Sequence, residues 1–356
     1  MSEPAALDRP ALFRADVLAG PATLAALLDA AAAPDGWFAP LDAAAPALGR
    51  VQRVLLTGMG SSRFAALSAA PFLRERGLPT DVELASTSRP IVPGPELLVI
   101  AISSSGGTPE AVVAARRHRG RSALVVALTN RPDSPLASAA DVVLPLLAGE
   151  EAAGIACRTY AATVAALLLV AGRVAAFVPE TVRSATPATS RLDPDDLRRA
   201  LPVMRDLLDG GDAWLPWAVD LVDGAPAIHV LGDAGRFGSV EQAALMLREA
   251  PRLPAVALDA GDWLHVGLYT ALPGLRAILF AGTPWDAELA ETIRGRGGEL
   301  LAIGHRVEGA TLSLEYPGAD DPVIAALVET TLVELLAAEL WDRATAEDPE
   351  DRGDAG

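Results

Sequence analysis

A chain of 356 residues, 51% hydrophobic and 21% charged, is long enough for two domains and has the composition of a globular protein. Its net charge of −17 argues against nucleic acid, whose binding rests on clustered positive charge, and leaves any anionic ligand to local donors acting against an unfavourable field. The one cysteine, Cys157, excludes an internal disulfide, and the 29 basic residues are all arginine, which excludes a lysine Schiff base and a Walker-type phosphate loop.

The opening MSEPAALDRP has no basic start leading into an apolar core, and no uninterrupted apolar stretch reaches the length of a membrane span. A cytoplasmic protein without membrane contact is expected. Residues 1–49 read as a helical lead segment. The runs VQRVLLTG, ELLVIAIS, SALVVALT and DVVLPL follow, short and bounded by glycine, serine or proline, as buried parallel strands are. Helical patterns, RFAALSAAPFLRERG and TPEAVVAARRHRG, lie among them. This alternation predicts a doubly wound α/β domain over 50–180, with ligands at the carboxyl ends of its strands. VPETVRSATPATSRLDPDD then reads as a linker, with the linker region expected over 181–225 and leading into a short helix over Leu197 to Leu208. A second domain is expected over 226–343, and the acidic 344–356 is expected to be disordered.

The second half repeats the first. TGMGSSRFAALSAA resembles LGDAGRFGSVEQAAL, and AISSSGGTPEAVV resembles AILFAGTPWDAEL. Gly60 and Gly235, and likewise Thr108 and Thr283, are 175 residues apart, and one shared offset implies a duplicated domain. At that offset Ser103, Ser104 and Ser105 face Ile278, Leu279 and Phe280, whereas Thr108-Pro109 face Thr283-Pro284. The shared pair reads as an N-cap followed by proline at the first helical position. The serines read as hydroxyl donors to an anion at a helix N-terminus, with local turn bonding as the alternative. As a dinucleotide fingerprint TGMGSSRF is weak, because the third glycine position holds Arg63 and Glu83 is the one acid placed for a ribose.

These residues resemble the sugar isomerase (SIS) domain family, in the tandem arrangement of the isomerase half of glucosamine-6-phosphate synthase and of related sugar-phosphate isomerases and deaminases. The resemblance runs through GMGSS, SSSGGT, LAGEEAAGIACRTYAAT, GRFGSVEQAALMLREA and DWLHVGLY. It implies two tandem flavodoxin-like αβα domains with parallel sheets, no metal or organic cofactor, and a homodimer with shared active sites. It further implies that Ser103, Ser104, Ser105, Thr108 and Ser62 bind a substrate phosphate. Glu249 would move a proton between C1 and C2, His265 would open the sugar ring, and Gly60, Ser61, Glu151 and Arg236 would be further substrate contacts. DWLHVG departs from the family's usual H-G-P at Val266.

Glu249 falls in the last turn of a predicted helix, where the negative dipole end raises a carboxylate's pKa toward the range of a useful base. His118, His229 and His305 read as structural. The expected function is a sugar-phosphate isomerase-type enzyme acting on a hexose or hexosamine 6-phosphate, by aldose–ketose isomerisation or deamination. Two alternatives stand beside it: a lyase that eliminates water from an N-acetylhexosamine 6-phosphate through the same C2 carbanion, and a non-catalytic sugar-phosphate sensor. The synthase's lysine has no counterpart here, so amide-nitrogen transfer is not expected.

Overall fold

The apolar runs of the first half form parallel strands because helices cover both of their faces. In the computed structural model, which describes residues 9–34, 36–178, 188 and 190–347, these are β1 (Arg53–Gly58), β3 (Leu97–Ile102), β4 (Leu124–Thr129) and β5 (Val142–Pro145). A fifth strand, β2 (Thr80–Leu84), was not legible as an apolar run. It lies at the edge of the sheet, whose order is β2-β1-β3-β4-β5 and whose pairings are all parallel. Leu55, Val99, Ala101, Val125 and Ala127 pack one face against Ala111, Val112 and Ala115 of the helix Pro109–His118. Residues of the other parity turn to the opposite face, where the helix Ser61–Glu75 packs on β1 and on the helix Arg158–Phe177.

The second half forms β6 (Ile228–Gly232), β7 (Ala255–Asp259), β8 (Arg276–Phe280), β9 (Glu299–Gly304) and β10 (Leu312–Glu315), again all parallel. Their order, β10-β9-β8-β6-β7, is the order of the first sheet read from the other edge. The duplication is therefore one of topology as well as of sequence, and both halves have the doubly wound α/β fold.

Two units are separable by their internal contacts. One comprises Ala22–Gly149 and Arg158–Leu201, and the other Met1–Pro21, Glu150–Cys157 and Pro202–Gly356. In the second unit the helix Arg9–Leu18 lies on the helix Pro322–Glu347, with Phe13 against Trp341 and Arg14 bonded to Glu339 and Asp342. The stretch expected to hold one short helix is helical over Pro194–Arg198, Ala200–Asp209 and Gly211–Val222. The helix Pro322–Glu347 takes in residues 344–347 of the acidic tail; residues 348–356, and residues 179–187 and 189 of the linker, lie outside the described residues.

Among the described residues the helix Arg158–Phe177 is long and apolar enough to cross a membrane by length and composition, contrary to the expectation from uninterrupted apolar runs. Its apolar window is 72% buried within the protein, which accounts for apolar residues all round it.

The second unit also buries a carboxyl group. Glu334 has one oxygen with no hydrogen-bond partner; burial, reinforced by the negative charge of Glu151, raises its pKa to about 8 against the opposing bond to Thr330. Between the ordinary carboxyl value of 4.5 and about 8 the unfolded chain ionises this group while the folded chain keeps it protonated. Stability then falls as pH rises through that window, and the dependence ends above it. The urea midpoint of the wild type is expected to decline from pH 5 to pH 8, and Glu334→Gln is expected to flatten the decline.

Candidate active site

At the carboxyl edge of the first sheet two strand-to-helix turns meet. β1 ends at Gly58, and Gly60, with φ +48°, turns the chain into the helix Ser61–Glu75. A Cβ on Gly58 would lie 2.9 Å from Ser62 Cβ and 3.2 Å from the Ile102 carbonyl oxygen, so the start of this helix abuts the end of β3.

The turn after β3 is built from hydroxyls. Ser103 is buried, and its Oγ shares a 2.9 Å hydrogen bond with Thr108 Oγ1. The Ser104 carbonyl accepts from the Asn130 N–H at 3.0 Å and from Thr129 Oγ1 at 3.2 Å. Ser105 is exposed, and its Oγ accepts from the Gly107 N–H at 3.2 Å. Gly106 makes the turn possible: its φ is +64°, and a Cβ there would overlap Ser134 Oγ. The structure thus brings Gly60, Ser61, Ser62, Ser103, Ser104, Ser105 and Thr108 to one edge of one sheet. The buttresses Thr129, Asn130 and Ser134 are not among the expected site residues, although LTNRPDS at the end of β4 is a polar run of the same kind.

The expected counterparts of the serines need correction. Leu56 pairs with Ile100, and Leu231, 175 residues later, pairs with Leu279. Ile278, Leu279 and Phe280 are therefore counterparts of Val99, Ile100 and Ala101 inside the strand, at an offset of 179. Thr108 and Thr283 remain 175 apart, so the second turn is four residues shorter. The serines are not replaced by apolar residues; they lie in an extra length of turn that the second copy lacks.

The shared threonine-proline pair also behaves differently in the two copies. Thr108 precedes the helix Pro109–His118, but its hydroxyl bonds Ser103 and does not cap the helix. In the second copy the helix Asp286–Gly295 begins two residues beyond Pro284. There the Asp286 carboxylate accepts from the Gly282 N–H at 2.7 Å, the Thr283 N–H at 3.1 Å and Thr283 Oγ1 at 2.5 Å. A carboxylate of the chain thus occupies the N–H donors of the second turn. No carboxylate bonds the N–H groups of the first turn among the described residues.

In the second unit Glu249 closes the helix Phe237–Glu249, as expected, and is exposed. Partial desolvation raises its pKa, and the neighbouring Arg248 opposes the rise. His265 is exposed in the turn after the short helix Ala260–Trp263. Among the described residues neither side chain has a hydrogen-bond partner.

Arg236 and Glu151, expected as substrate contacts, have structural partners. The Arg236 guanidinium bonds the fully buried Glu329 and the carbonyls of Phe280 and Ala281. Burial alone would lower its pKa, and the Glu329 charge leaves it above the ordinary value. Glu151 accepts from the Cys157 N–H at 3.1 Å and its thiol at 3.5 Å. His229 is a core residue, taking the Trp263 indole N–H at 2.9 Å, with its pKa lowered by burial. His118 is likewise buried, and His305 follows β9, 3.4 Å from Asp320.

The two glycines of the first-sheet turns separate conformation from space. Gly60→Ala meets no atom within 4 Å and bears the positive φ alone, at a cost of about 1 kcal/mol. Gly106→Ala adds overlap with Ser134, so it is expected to cost about 2 to 3 kcal/mol and to displace the serine turn. Urea unfolding of the two variants checks the order.

The SIS domain family matches residues 48–173, which include β1 to β5 and both first-sheet turns. Over 260 residues the chain is 31% identical to the glutamine–fructose-6-phosphate aminotransferase (isomerizing) of Aeropyrum pernix, a match covering 70% of this chain and 41% of that one. The chain spans about two fifths to a half of the length of the curated relatives it matches. Two solved structures share the fold at low identity. The C-terminal domain of glucosamine-fructose-6-phosphate aminotransferase from Francisella tularensis has a TM-score of 0.74 at 16% identity, covering 96% of this chain and 98% of that one. Tagatose-6-phosphate ketose/aldose isomerase from Escherichia coli has a TM-score of 0.73 at 18% identity, with 95% of each chain covered. The SIS match lies on the sheet that carries the hydroxyl turn, so residues 48–173 belong to the SIS domain family.

Proposed function

We propose that the protein is an isomerase-type enzyme acting on a hexose or hexosamine 6-phosphate. The observation that carries this reading is the hydroxyl turn Ser103–Thr108, held open by Gly106 at the carboxyl edge of the first sheet and lying within the matched SIS segment. Serine and threonine hydroxyls with a helix N-terminus suit a phosphate, and a phosphate anchored there supplies binding energy remote from the reacting carbon. Ser62, at the start of the neighbouring helix, belongs to the same site in this reading.

Glu249 then takes the C2 proton to give an enediol and returns it at C1. Its raised pKa makes it a stronger base than an ordinary carboxylate. His265 passes a proton to the ring oxygen on opening. Exposed Val266, Tyr269 and Leu272 beside His265 fit a homodimer in which this surface meets a second copy. The lack of any lysine fits proton transfer without a Schiff base, and this reading takes the enzyme to work in the cytoplasm without a cofactor.

Proton NMR in D₂O with a panel of hexose and hexosamine 6-phosphates tests the reading. Exchange at C2 with aldose–ketose conversion is expected; elimination of water would point to the lyase, and no exchange on any substrate would leave a binding protein. Glu249→Gln should lower kcat by at least about 10²-fold with substrate binding retained. Ser105→Ala with Thr108→Ala should chiefly raise KM. Because Arg248 holds the Glu249 pKa down, Arg248→Gln should move the acidic limb of the kcat/KM profile to higher pH.

A further inference from the structure

The hydroxyl turn is flanked by two turns that each carry an arginine whose guanidinium no acidic side chain engages among the described residues. β1 and β4 flank β3 in the sheet, so the turns that follow them lie on either side of the Ser103–Thr108 turn. Arg63 follows β1 and is half-buried in the first turn of the helix Ser61–Glu75, its guanidinium 6.0 Å from the Phe64 ring centroid. Arg131 follows β4 and is exposed. Its backbone is tied to the site: its N–H donates to Thr129 Oγ1 at 3.1 Å, and that same hydroxyl bonds the Ser104 carbonyl. Among the described residues neither guanidinium makes an ion pair or a hydrogen bond, although Asp133 is two residues from Arg131.

This placement has an electrostatic cost that folding does not require. A cation in the first turn of a helix stands at the positive end of the dipole, and that turn of the helix Ser61–Glu75 holds no acidic residue to offset it. In a chain of net charge −17, a counter-ion for Arg63 would be easy to supply from within. Neighbouring strands are about 4.8 Å apart, so a group seated over β3 is about 5 Å from the ends of both β1 and β4, within reach of an arginine from either side.

We propose that Arg63 and Arg131 clamp the ligand of this site from its two sides and select a dianionic phosphate monoester over a singly charged sulfate monoester of the same sugar. The proposal rests on the phosphate reading of the Ser103–Thr108 turn. The hydroxyls and N–H groups set the geometry, and the arginines supply the charge that the rest of the chain opposes.

Calorimetric titration of the full chain with glucose 6-phosphate, fructose 6-phosphate and glucosamine 6-phosphate identifies the tightest probe, which is then compared with its 6-sulfate analogue. Arg63→Gln and Arg131→Gln should each weaken phosphate binding about tenfold, the loss of one charge-assisted contact. The double variant should lose about a hundredfold and most of the preference for phosphate over sulfate, while Arg63→Lys and Arg131→Lys keep that preference. Thermal unfolding verifies that each variant is folded. Binding by the double variant within twofold of wild type, while Ser105→Ala with Thr108→Ala abolishes it, would overturn the clamp and leave the phosphate reading standing. Equal losses for phosphate and sulfate would also overturn it. Failure of the wild type to bind any phosphosugar would overturn the phosphate reading itself.

Discussion

Where a parallel strand turns into a helix, the first backbone N–H groups of the turn and helix have no partner within the helix and must find an acceptor. That constraint recurs at the carboxyl edge of each sheet, and the two copies meet it differently. In the second copy Asp286 reaches back and fills the position with its own carboxylate. In the first copy a turn four residues longer brings in serines, and Ser105 takes only the Gly107 N–H. One duplicated architecture thus carries a turn closed by an internal anion and a turn lined with hydroxyls.

The rest of the first unit supports that open turn. Gly106 adopts a backbone that a side chain would not tolerate, pressed against Ser134. Thr129 and Asn130 hold the Ser104 carbonyl, and Asn130 also bonds the Ala148 N–H and the Gly149 carbonyl. These bonds fix the turn before any ligand arrives, which lowers the ordering cost of binding. In the second copy comparable polar resources go to stability: Arg236 is held by buried Glu329 and by two carbonyls at the end of β8. Removing either partner of such a pair leaves a buried charge uncompensated.

Much of this was legible in the sequence, and the failures have physical causes. Four of the five first-sheet strands stand out as continuous apolar runs; β2 does not, because it is an edge strand that carries polar residues. The repeat has the correct spacing for Gly60 and Gly235, yet a fixed offset sets the serines against strand residues, because an insertion inside a turn leaves no mark in it. Glu249 closes its helix as expected. Arg236, expected at the substrate, is engaged by Glu329 through a contact spanning 93 residues, which no local pattern reveals. Thr129 and Ser134 carry no local signal, because their role depends on the turn after β3, a neighbour only through the sheet.

The most direct measurement is a crystal structure of the protein with fructose 6-phosphate. The account predicts the phosphate at the first-sheet turn, within hydrogen-bond distance of Ser104, Ser105 and Thr108, with Asp286 still seated on the Gly282 and Thr283 N–H groups. A phosphate bound at the second turn with Asp286 displaced, or bound away from both turns, would contradict it.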